Sequence, residues 1–339
     1  MIEVKSLTKR YGDNLALDDL TFTLEDGLIY GFLGPNGAGK STTMNIITGY
    51  IAPTSGQVTI NGHSIIDEPR EAKRHIGYLP EVPPLYGDMT VSEYLSFAAE
   101  LKGIPKKQRA AEIERVMDTA KLEEVGDRLI ANLSKGFRQR VGLAQAVMGM
   151  PDIIILDEPT VGLDPKQIIE IRDLIRGLAG EHTVILSSHI LSEIQELCDK
   201  IIIIHQGRLI ADGTPAELEQ RLGESSMEIT VKSGDADFAA GLVSNIEGIE
   251  SVAVVESTDS ETTLHLKLAR DADVRENIFA ACVSAGCPLL MMKSTDFSLE
   301  HAFLELTKER RLVRRKKRKT EPEQREIGSD NSEKEVDRQ

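Results

Sequence analysis

Apolar and polar positions divide much of the chain into candidate strands. Residues 1–29 alternate between the two kinds, with a turn at residues 11–14, which predicts two or three antiparallel strands. Uninterrupted apolar runs bounded by turn residues instead predict strands that are buried on both faces of a parallel sheet. The strands predicted beyond residue 29 lie at residues 30–33, 57–60, 76–79, 153–156, 183–186 and 201–205, the last followed by a hairpin partner at 208–210.

Apolar residues at helical spacing predict a helical subdomain at about residues 88–150. Thr90, with Glu93 three residues later, forms a capping-box pattern, and Pro105 precedes a second helix. Ser134 is a candidate N-cap of a third helix. Strands interleaved with helices in this way predict an α/β fold that consists of a mixed sheet core, an antiparallel β subdomain and a helical subdomain.

The pattern restarts after residue 222 in the order β-α-β-β-α-β, which predicts a small α+β ferredoxin-like domain. Its strands are predicted at residues 227–231, 251–255, 262–268 and 288–292, its helices at 236–245 and 274–285, and a last helix, with Ser298 as N-cap, at 297–306. We therefore predict a first domain at residues 1–222, an accessory domain at 223–308 and a tail at 309–339.

The tail contains a basic run at residues 314–319 and then a Glu- and Ser-rich end without periodicity, which predicts disorder from 321 to 339. The basic run is either a solvated segment or a contact for anionic lipid headgroups. The chain as a whole carries a formal net charge of -15, which argues against nucleic-acid binding because phosphate contacts need a basic surface.

Three cysteines (Cys198, Cys282 and Cys287) show no metal-ligand spacing, so we expect reduced thiols in a cytosolic compartment. No secretory signal is recognised at the start of the sequence, and the apolar runs are too short to span a bilayer. We therefore expect a cytoplasmic protein whose membrane role, if it has one, comes through a partner.

A phosphate-binding loop follows the strand at residues 30–33. Its sequence, GPNGAGKST, fits G-x-x-x-x-G-K-[ST] without a mismatch and precedes a predicted helix, which is the context that the motif requires. Glycines let the backbone approach a triphosphate, and the helix start favours the same anion. We expect Lys40 to reach the β- and γ-phosphates and Ser41 to contact Mg²⁺. The loop consists of Gly34, Pro35, Asn36, Gly37, Ala38, Gly39, Lys40, Ser41 and Thr42.

Two acids stand at the end of the predicted strand at residues 153–156. Asp157 suits the hydration shell of Mg²⁺, and Glu158 suits a general base for water in line with the γ-phosphate. Without a phosphate loop such a pair would more often be solvated turn residues. His189 follows the strand at 183–186, at the edge where open α/β sheets bind ligands, and its imidazole could hydrogen-bond a γ-phosphate.

Two further candidate residues have an alternative structural role. Tyr11, in the first turn, either stacks on a nucleobase or packs on its own strand. Ser134 begins a helix whose free N–H groups form a second anion site, although LSxG alone would fit any capped helix.

The order of these motifs resembles the nucleotide-binding subunit of an ATP-binding cassette (ABC) transporter over residues 1 to about 220. The matching segments are Tyr11, GPNGAGKST, LSKGFRQRVGLA, ILDEPTVGLDP and SSHI. The resemblance implies ATP and Mg²⁺ as cofactors, with Tyr11, Glu81, Asp164 and the phosphate loop at the nucleotide and Ser41, Asp157 and Glu81 at the metal. It also implies that Ser134 and Gly136 contact the γ-phosphate held by a second subunit, so that a homo- or heterodimer closes on ATP.

Two departures from the commoner family pattern narrow the resemblance. The signature reads LSKGF, with Lys135 and Phe137 in place of glycine and glutamine, and Glu81 stands where glutamine is usual. Both are similar to the gliding-motility and ABC-2-type export ATPases. The resemblance then implies a separate integral membrane permease, attachment to the inner face of the membrane through it, and export.

Two other classes compete with this interpretation. Soluble ABC ATPases that act on ribosomes carry two cassettes in one chain, and those that act on DNA carry long heptad arms; neither feature is present. A P-loop GTPase switch would carry an NKxD motif, and none occurs in the sequence.

Overall fold

The computed structural model describes residues 1–222, 226–269 and 272–295. The helix predicted at 297–306, the basic run and the acidic end lie outside the described residues. The strands are β1 (Ile2–Tyr11), β2 (Asn14–Leu24), β3 (Ile29–Leu33), β4 (Ser55–Ile60), β5 (His63–Ser64), β6 (Ile76–Leu79), β7 (Ile153–Asp157), β8 (Thr183–Ser188), β9 (Lys200–His205), β10 (Arg208–Gly213), β11 (Ser226–Val231), β12 (Ile249–Ser257), β13 (Thr262–Leu268) and β14 (Leu289–Thr295).

Ten α-helices are found in these ranges: α1 (Lys40–Ile47), α2 (Pro69–Arg74), α3 (Val91–Leu101), α4 (Lys106–Ala120), α5 (Lys135–Val147), α6 (Pro165–Leu178), α7 (Leu191–Leu197), α8 (Pro215–Leu222), α9 (Ala236–Val243) and α10 (Arg275–Ser284). Two short 3₁₀ turns, Glu123–Val125 and Ile130–Asn132, connect α4 to α5. No helix in the described part of the chain is long and apolar enough to cross a membrane.

A six-stranded sheet in the order β10-β9-β3-β8-β7-β6 forms the centre of the first 222 residues. All its strands are parallel except β10, which pairs antiparallel with β9. Every residue of β3, β7 and β8 is buried, because layers of chain cover both faces of the sheet. The carboxyl ends of β3, β6, β7 and β8 therefore meet at one edge, and the loops that follow them can form one site.

The antiparallel subdomain is a four-stranded sheet in the order β2-β1-β4-β5. The sequence predicted two or three strands before residue 29; the structure has two, and their further partner β4 comes from beyond the phosphate loop. Apolar side chains on its inner face, together with those of β3 and α1, form one core cluster that supports the phosphate loop.

The helical subdomain contains α3, α4 and α5, as predicted. Thr90 and Glu93 form the capping box at the start of α3, and Ser134 caps α5 by accepting a hydrogen bond from the backbone N–H of Phe137. The apolar faces of these helices join one face of the central sheet in a second core cluster. This packing connects the start of α5 to the strands that carry the site.

The last described residues fold in the predicted order β-α-β-β-α-β, from β11 to β14, and the sheet order is β12-β13-β11-β14, with all neighbours antiparallel. This is the ferredoxin-like arrangement that the sequence predicted. It has its own core cluster, in which Ile229, Leu264 and Ile278 are fully buried.

Sequence patterns missed three short helices and one short strand. The helices α2, α7 and α8 have six, seven and eight residues, about two turns each, and β5 has two residues, so each gives only a weak periodic signal. The helix that was predicted after the phosphate loop, α1, begins within the loop sequence, at Lys40, so that Lys40, Ser41 and Thr42 form its first turn.

Candidate active site

The phosphate loop connects β3 to α1, and two of its glycines are required by their surroundings. A Cβ on Gly34 would lie 2.4 Å from the carbonyl oxygen of Ile204. Gly39, the N-cap of α1, has a φ of 111°, and a Cβ there would lie 2.7 Å from Leu17 Cδ2. The loop backbone therefore packs closely against β9 at Gly34 and against β2 at Gly39, and these two contacts fix the shape of the loop.

Lys40 is buried and points back into the loop. Its Nζ donates hydrogen bonds to the carbonyl oxygens of Gly34 and Pro35, at 2.7 and 3.4 Å, and lies 3.7 Å from Glu158 Oε1. Burial lowers the pKa of the ammonium, while the carboxylates of Glu158 and Asp157 oppose that shift. A buried cation held largely by carbonyl oxygens is well suited to exchange those contacts for an anionic ligand.

Asp157 ends β7 and faces the start of α1. Its Oδ1 accepts a hydrogen bond of 2.6 Å from Ser187 Oγ on β8 and lies 3.4 Å from Ser41 Oγ. This arrangement agrees with the donor chemistry of Mg²⁺, which takes one or two protein oxygens and keeps several waters. Among the described residues no group of three His, Cys, Asp or Glu is placed to hold a metal ion, so a cation here would depend on Ser41, Asp157 and ligand oxygens.

Glu158 and His189 form a pair at the same edge. His189 Nδ1 donates a hydrogen bond to Glu158 Oε2 at 2.9 Å, because a carboxylate can only accept one. Glu158 has a φ of 49°, a left-handed conformation that is uncommon for a residue other than glycine. Its backbone N–H donates to Ser187 Oγ at 2.9 Å, so Ser187 contacts both acids.

Tyr78, on β6, is a neighbour of these acids. Its hydroxyl donates to Asn45 Oδ1 at 3.4 Å, and burial, together with the nearby Asp157 carboxylate, raises its pKa to about 12. The phenol therefore stays neutral and adds no further negative charge beside Asp157.

Tyr11 and Glu81 are both exposed residues near the ends of strands, β1 and β6. The Lys9 ammonium lies over the ring of Tyr11, 5.1 Å from the ring centroid, so Tyr11 packs on its own strand. Its side chain is nevertheless 48% exposed to solvent. Glu81 is exposed, two residues beyond the end of β6. Their predicted contacts with nucleotide and metal stay predictions.

The signature residues lie at the start of α5, where Ser134 is the N-cap and Gly136 is buried against Gln167 of α6. Ser134 is exposed, and a Cβ on Gly136 would meet the side chain of Gln167 at 2.7 Å. Asp164 caps α6 by accepting a hydrogen bond from the N–H of Gln167. The predicted role of Asp164 at the nucleotide is therefore accompanied by a structural one within this chain.

Sequence reasoning missed the side chains that support the two acids. Ser187 and Ser188, the two serines of the SSHI segment, carry a usable signal, because a polar pair at the end of a buried strand indicates internal hydrogen bonds. Glu193, in the unpredicted helix α7, is also buried. An acid beside Leu191 and Ile194 on the apolar side of a short helix was the available signal.

A phosphate loop between a buried parallel strand and a helix, facing two acids at the same sheet edge, defines a P-loop nucleoside triphosphatase. The family model described as ABC transporter matches residues 17–161. The bacitracin transport ATP-binding protein BcrA of Bacillus licheniformis is 44% identical over 214 residues, covering 62% of this chain and 69% of the relative. The linearmycin resistance ATP-binding protein LnrL of Bacillus subtilis (strain 168) is 34% identical over 312 residues, covering 91% and 98%.

A solved structure gives the same classification. The ATP-binding cassette MJ0796, in a dimeric post-hydrolysis state bound to ADP and Pi, matches with a TM-score of 0.57 and 27% identity, covering 63% of this chain and 98% of that one. The chain belongs to the ATP-binding cassettes of the ABC transporter family. The predicted family, fold class and ATPase activity are thereby confirmed.

Proposed function

We propose that this chain is the ATP-hydrolysing subunit of an ABC-2-type exporter and powers a separate membrane permease. The observation that supports the proposal most directly is the meeting of Lys40, Asp157, Glu158 and His189 at one edge of the central sheet. The names of the relatives support a transport role, because they include a bacitracin transport protein and a linearmycin resistance protein, and the name of a third, the Nod factor export ATP-binding protein I, states export.

In this proposal each side chain has a distinct task. Lys40 leaves the carbonyl oxygens of the loop and holds the β- and γ-phosphates, while Glu158 accepts a proton from the attacking water. His189 orients the Glu158 carboxylate through Nδ1–H, and a hydrogen bond to the γ-phosphate would need a second ring proton, on Nε2, because phosphate oxygens only accept. Ser41 and Asp157 would hold Mg²⁺, which supplies neutralisation of phosphate charge when bound. Catalysis is then mainly positioning and charge stabilisation.

The proposed active unit is a dimer. The start of α5 presents a surface on which Ser134 is exposed, while Gly136 is buried in the first turn, and the free N–H groups of this helix start suit an anion. We place this surface against the γ-phosphate bound by a second cassette, identical or different. The MJ0796 cassette, which is dimeric with ADP and Pi bound, supports this arrangement. ATP then favours the closed dimer, and hydrolysis restores the open one.

The attachment to a membrane follows from the permease in this proposal. The nucleotide-binding subunit stays at the inner face, without nucleic acid as a partner, and the permease selects the cargo. The alternative, a soluble ABC ATPase acting on ribosomes or DNA, finds no support among the relatives.

Replacing Glu158 by glutamine tests the chemistry. We expect the E158Q protein to bind ATP but to lose at least about 100-fold in turnover, since it keeps the shape of the general base and loses its proton affinity. It should accumulate as an ATP-bound dimer in size-exclusion chromatography with light scattering. Wild-type turnover in E158Q would refute the assignment of the base.

Affinity purification of the full chain from detergent-solubilised membranes of its own source tests the coupling. We expect an integral membrane protein to be recovered with the wild type and with E158Q. Recovery with ribosomal proteins or DNA, and with no membrane protein, would refute the transport role.

A further inference from the structure

Glu193 is a buried carboxylate that none of the proposed catalytic steps uses. It lies in α7, four residues after His189, and is 5% exposed. Its Oε2 accepts hydrogen bonds from Thr160 Oγ1 at 2.8 Å and from Ser188 Oγ at 3.1 Å, and both of these residues are buried as well. An acid is rarely buried to this extent unless it is paired and hydrogen-bonded.

The two hydroxyls belong to the two segments that carry the reacting pair. Thr160 follows Glu158 by two residues, and Ser188 immediately precedes His189. One carboxylate oxygen therefore joins the chain beyond Glu158 to the chain before His189. Ser188 Oγ also accepts a hydrogen bond of 3.0 Å from the N–H of Ile190, so the backbone on both sides of His189 is fixed.

The other oxygen of Glu193 faces a different element. Oε1 lies 3.8 Å from Arg172 Nη2, and Arg172 belongs to α6, the helix that Asp164 caps. Arg172 also forms an ion pair with Glu196, whose side chain is 57% exposed. Glu193 thus connects α6, the segment after Glu158 and the segment before His189 through a single carboxylate.

We propose that Glu193 is a positioning residue for hydrolysis: it holds Glu158 and His189 in their mutual contact by accepting hydrogen bonds from Thr160 and Ser188. The proposal rests on the proposed function of Glu158 as the general base. Glu158 needs such support because its backbone is left-handed. Its N–H is held by Ser187, its carbonyl oxygen accepts a hydrogen bond of 3.2 Å from the N–H of Val161, and the turn that contains Val161 is held in turn through Thr160.

The test compares E193A with E196A in the full-length protein. Both variants remove an ion pair of Arg172, but only E193A removes the acceptor of the two hydroxyls. We expect kcat for ATP to fall about 10- to 100-fold in E193A, as for a displacement of about 1 Å at a catalytic group, and to stay within about twofold of wild type in E196A. The Kd for ATP, measured without turnover, should change by less than about threefold in both.

Conservative variants separate positioning from simple destabilisation. E193Q keeps one acceptor oxygen, so most of the lost kcat should return. T160V removes one donor while keeping the shape of the side chain, whereas T160S keeps the hydroxyl; we expect reduced kcat in T160V and near wild-type kcat in T160S. Thermal unfolding of every variant gives the folded fraction to which rates are normalised. Equal kcat for E193A and E196A after that correction, or for T160V and T160S, would overturn the proposal.

A double variant shows whether Glu193 acts through Glu158. Since the base is already absent, E193A should lower the single-turnover rate much less in the E158Q background than it lowers the rate of the wild type, and any remaining loss comes through His189. A loss from E193A that is as large in the E158Q background as in the wild type would mean that Glu193 does not act through Glu158. Failure of the proposed function has a different signature, since E158Q itself would then retain wild-type turnover.

Discussion

Ser187 Oγ donates a 2.6 Å hydrogen bond to Asp157 Oδ1 across the boundary between β8 and β7. The same oxygen accepts the N–H of Glu158 at 2.9 Å. One buried hydroxyl thereby fixes the directions of both acids: the carboxylate of Asp157 towards Ser41, and the backbone from which Glu158 projects towards His189. The different directions of the two adjacent acids therefore depend on Ser187, a residue of the neighbouring strand.

Replacing Ser187 by alanine should therefore damage both acids. The Glu158 N–H would lose its partner in a buried position, which costs about 1–3 kcal/mol of unfolding free energy. We expect S187A to lower the melting temperature and kcat together, measured by thermal unfolding and ATP turnover. S187T, which keeps the hydroxyl, is the control and should retain more of both. Unchanged kcat in a folded S187A protein would contradict the role of this hydroxyl.

Replacing Gly34 by alanine should weaken nucleotide binding. Its Cβ would lie 2.4 Å from the carbonyl oxygen of Ile204, a backbone atom that cannot move away cheaply, so the loop must change shape. We expect the Kd for ATP in equilibrium binding to rise at least about tenfold, a loss of about 1.4 kcal/mol. Gly177, in α6, is the matched control because a Cβ there meets nothing within 4 Å. G177A should bind ATP with the Kd of the wild type. If G34A bound ATP equally well, the phosphate loop would have adapted to the added Cβ.

Replacing Ser134 by alanine should impair dimer closure more than nucleotide binding. Both S134A and T90A remove a helix N-cap, at a cost of about 1 kcal/mol each, but only Ser134 lies on the proposed dimer surface. In the E158Q background we expect S134A to reduce the ATP-dependent dimer seen by light scattering, while T90A leaves it unchanged. An equal loss in both variants would assign the effect to helix stability and not to the interface.

Replacing Tyr11 by alanine distinguishes the two roles left open for this aromatic. If a nucleobase stacks on its exposed surface, the Kd for ATP should rise by about tenfold in Y11A, the lower part of the range of about 1–3 kcal/mol for base–aromatic stacking. Y11F keeps the ring and should bind as wild type. If Tyr11 only packs with Lys9 on its own strand, Y11A should change the melting temperature and leave the Kd unaltered.

Local sequence determined much of this protein. The phosphate loop, the N-caps of α3 and α5, the buried strands β3, β7 and β8, and the element order of the last domain all follow from short-range rules: backbone freedom at glycine, side-chain capping, and apolar periodicity. Lys40, Asp157, Glu158 and His189 could be named from motifs for the same reason.

Tertiary structure decided how those residues act on one another. The contacts of Asp157 with Ser187 and of Glu158 with His189 join residues from different strand ends, and parallel pairing of β7 with β8 makes them neighbours. Lys40 meets Glu158 because β3, β7 and β8 end at one edge. The sequence does not distinguish Glu193 from other acids, and only the packing of α7 against the sheet buries it among hydroxyls. Local patterns encode which groups are present, whereas strand order encodes which of them meet.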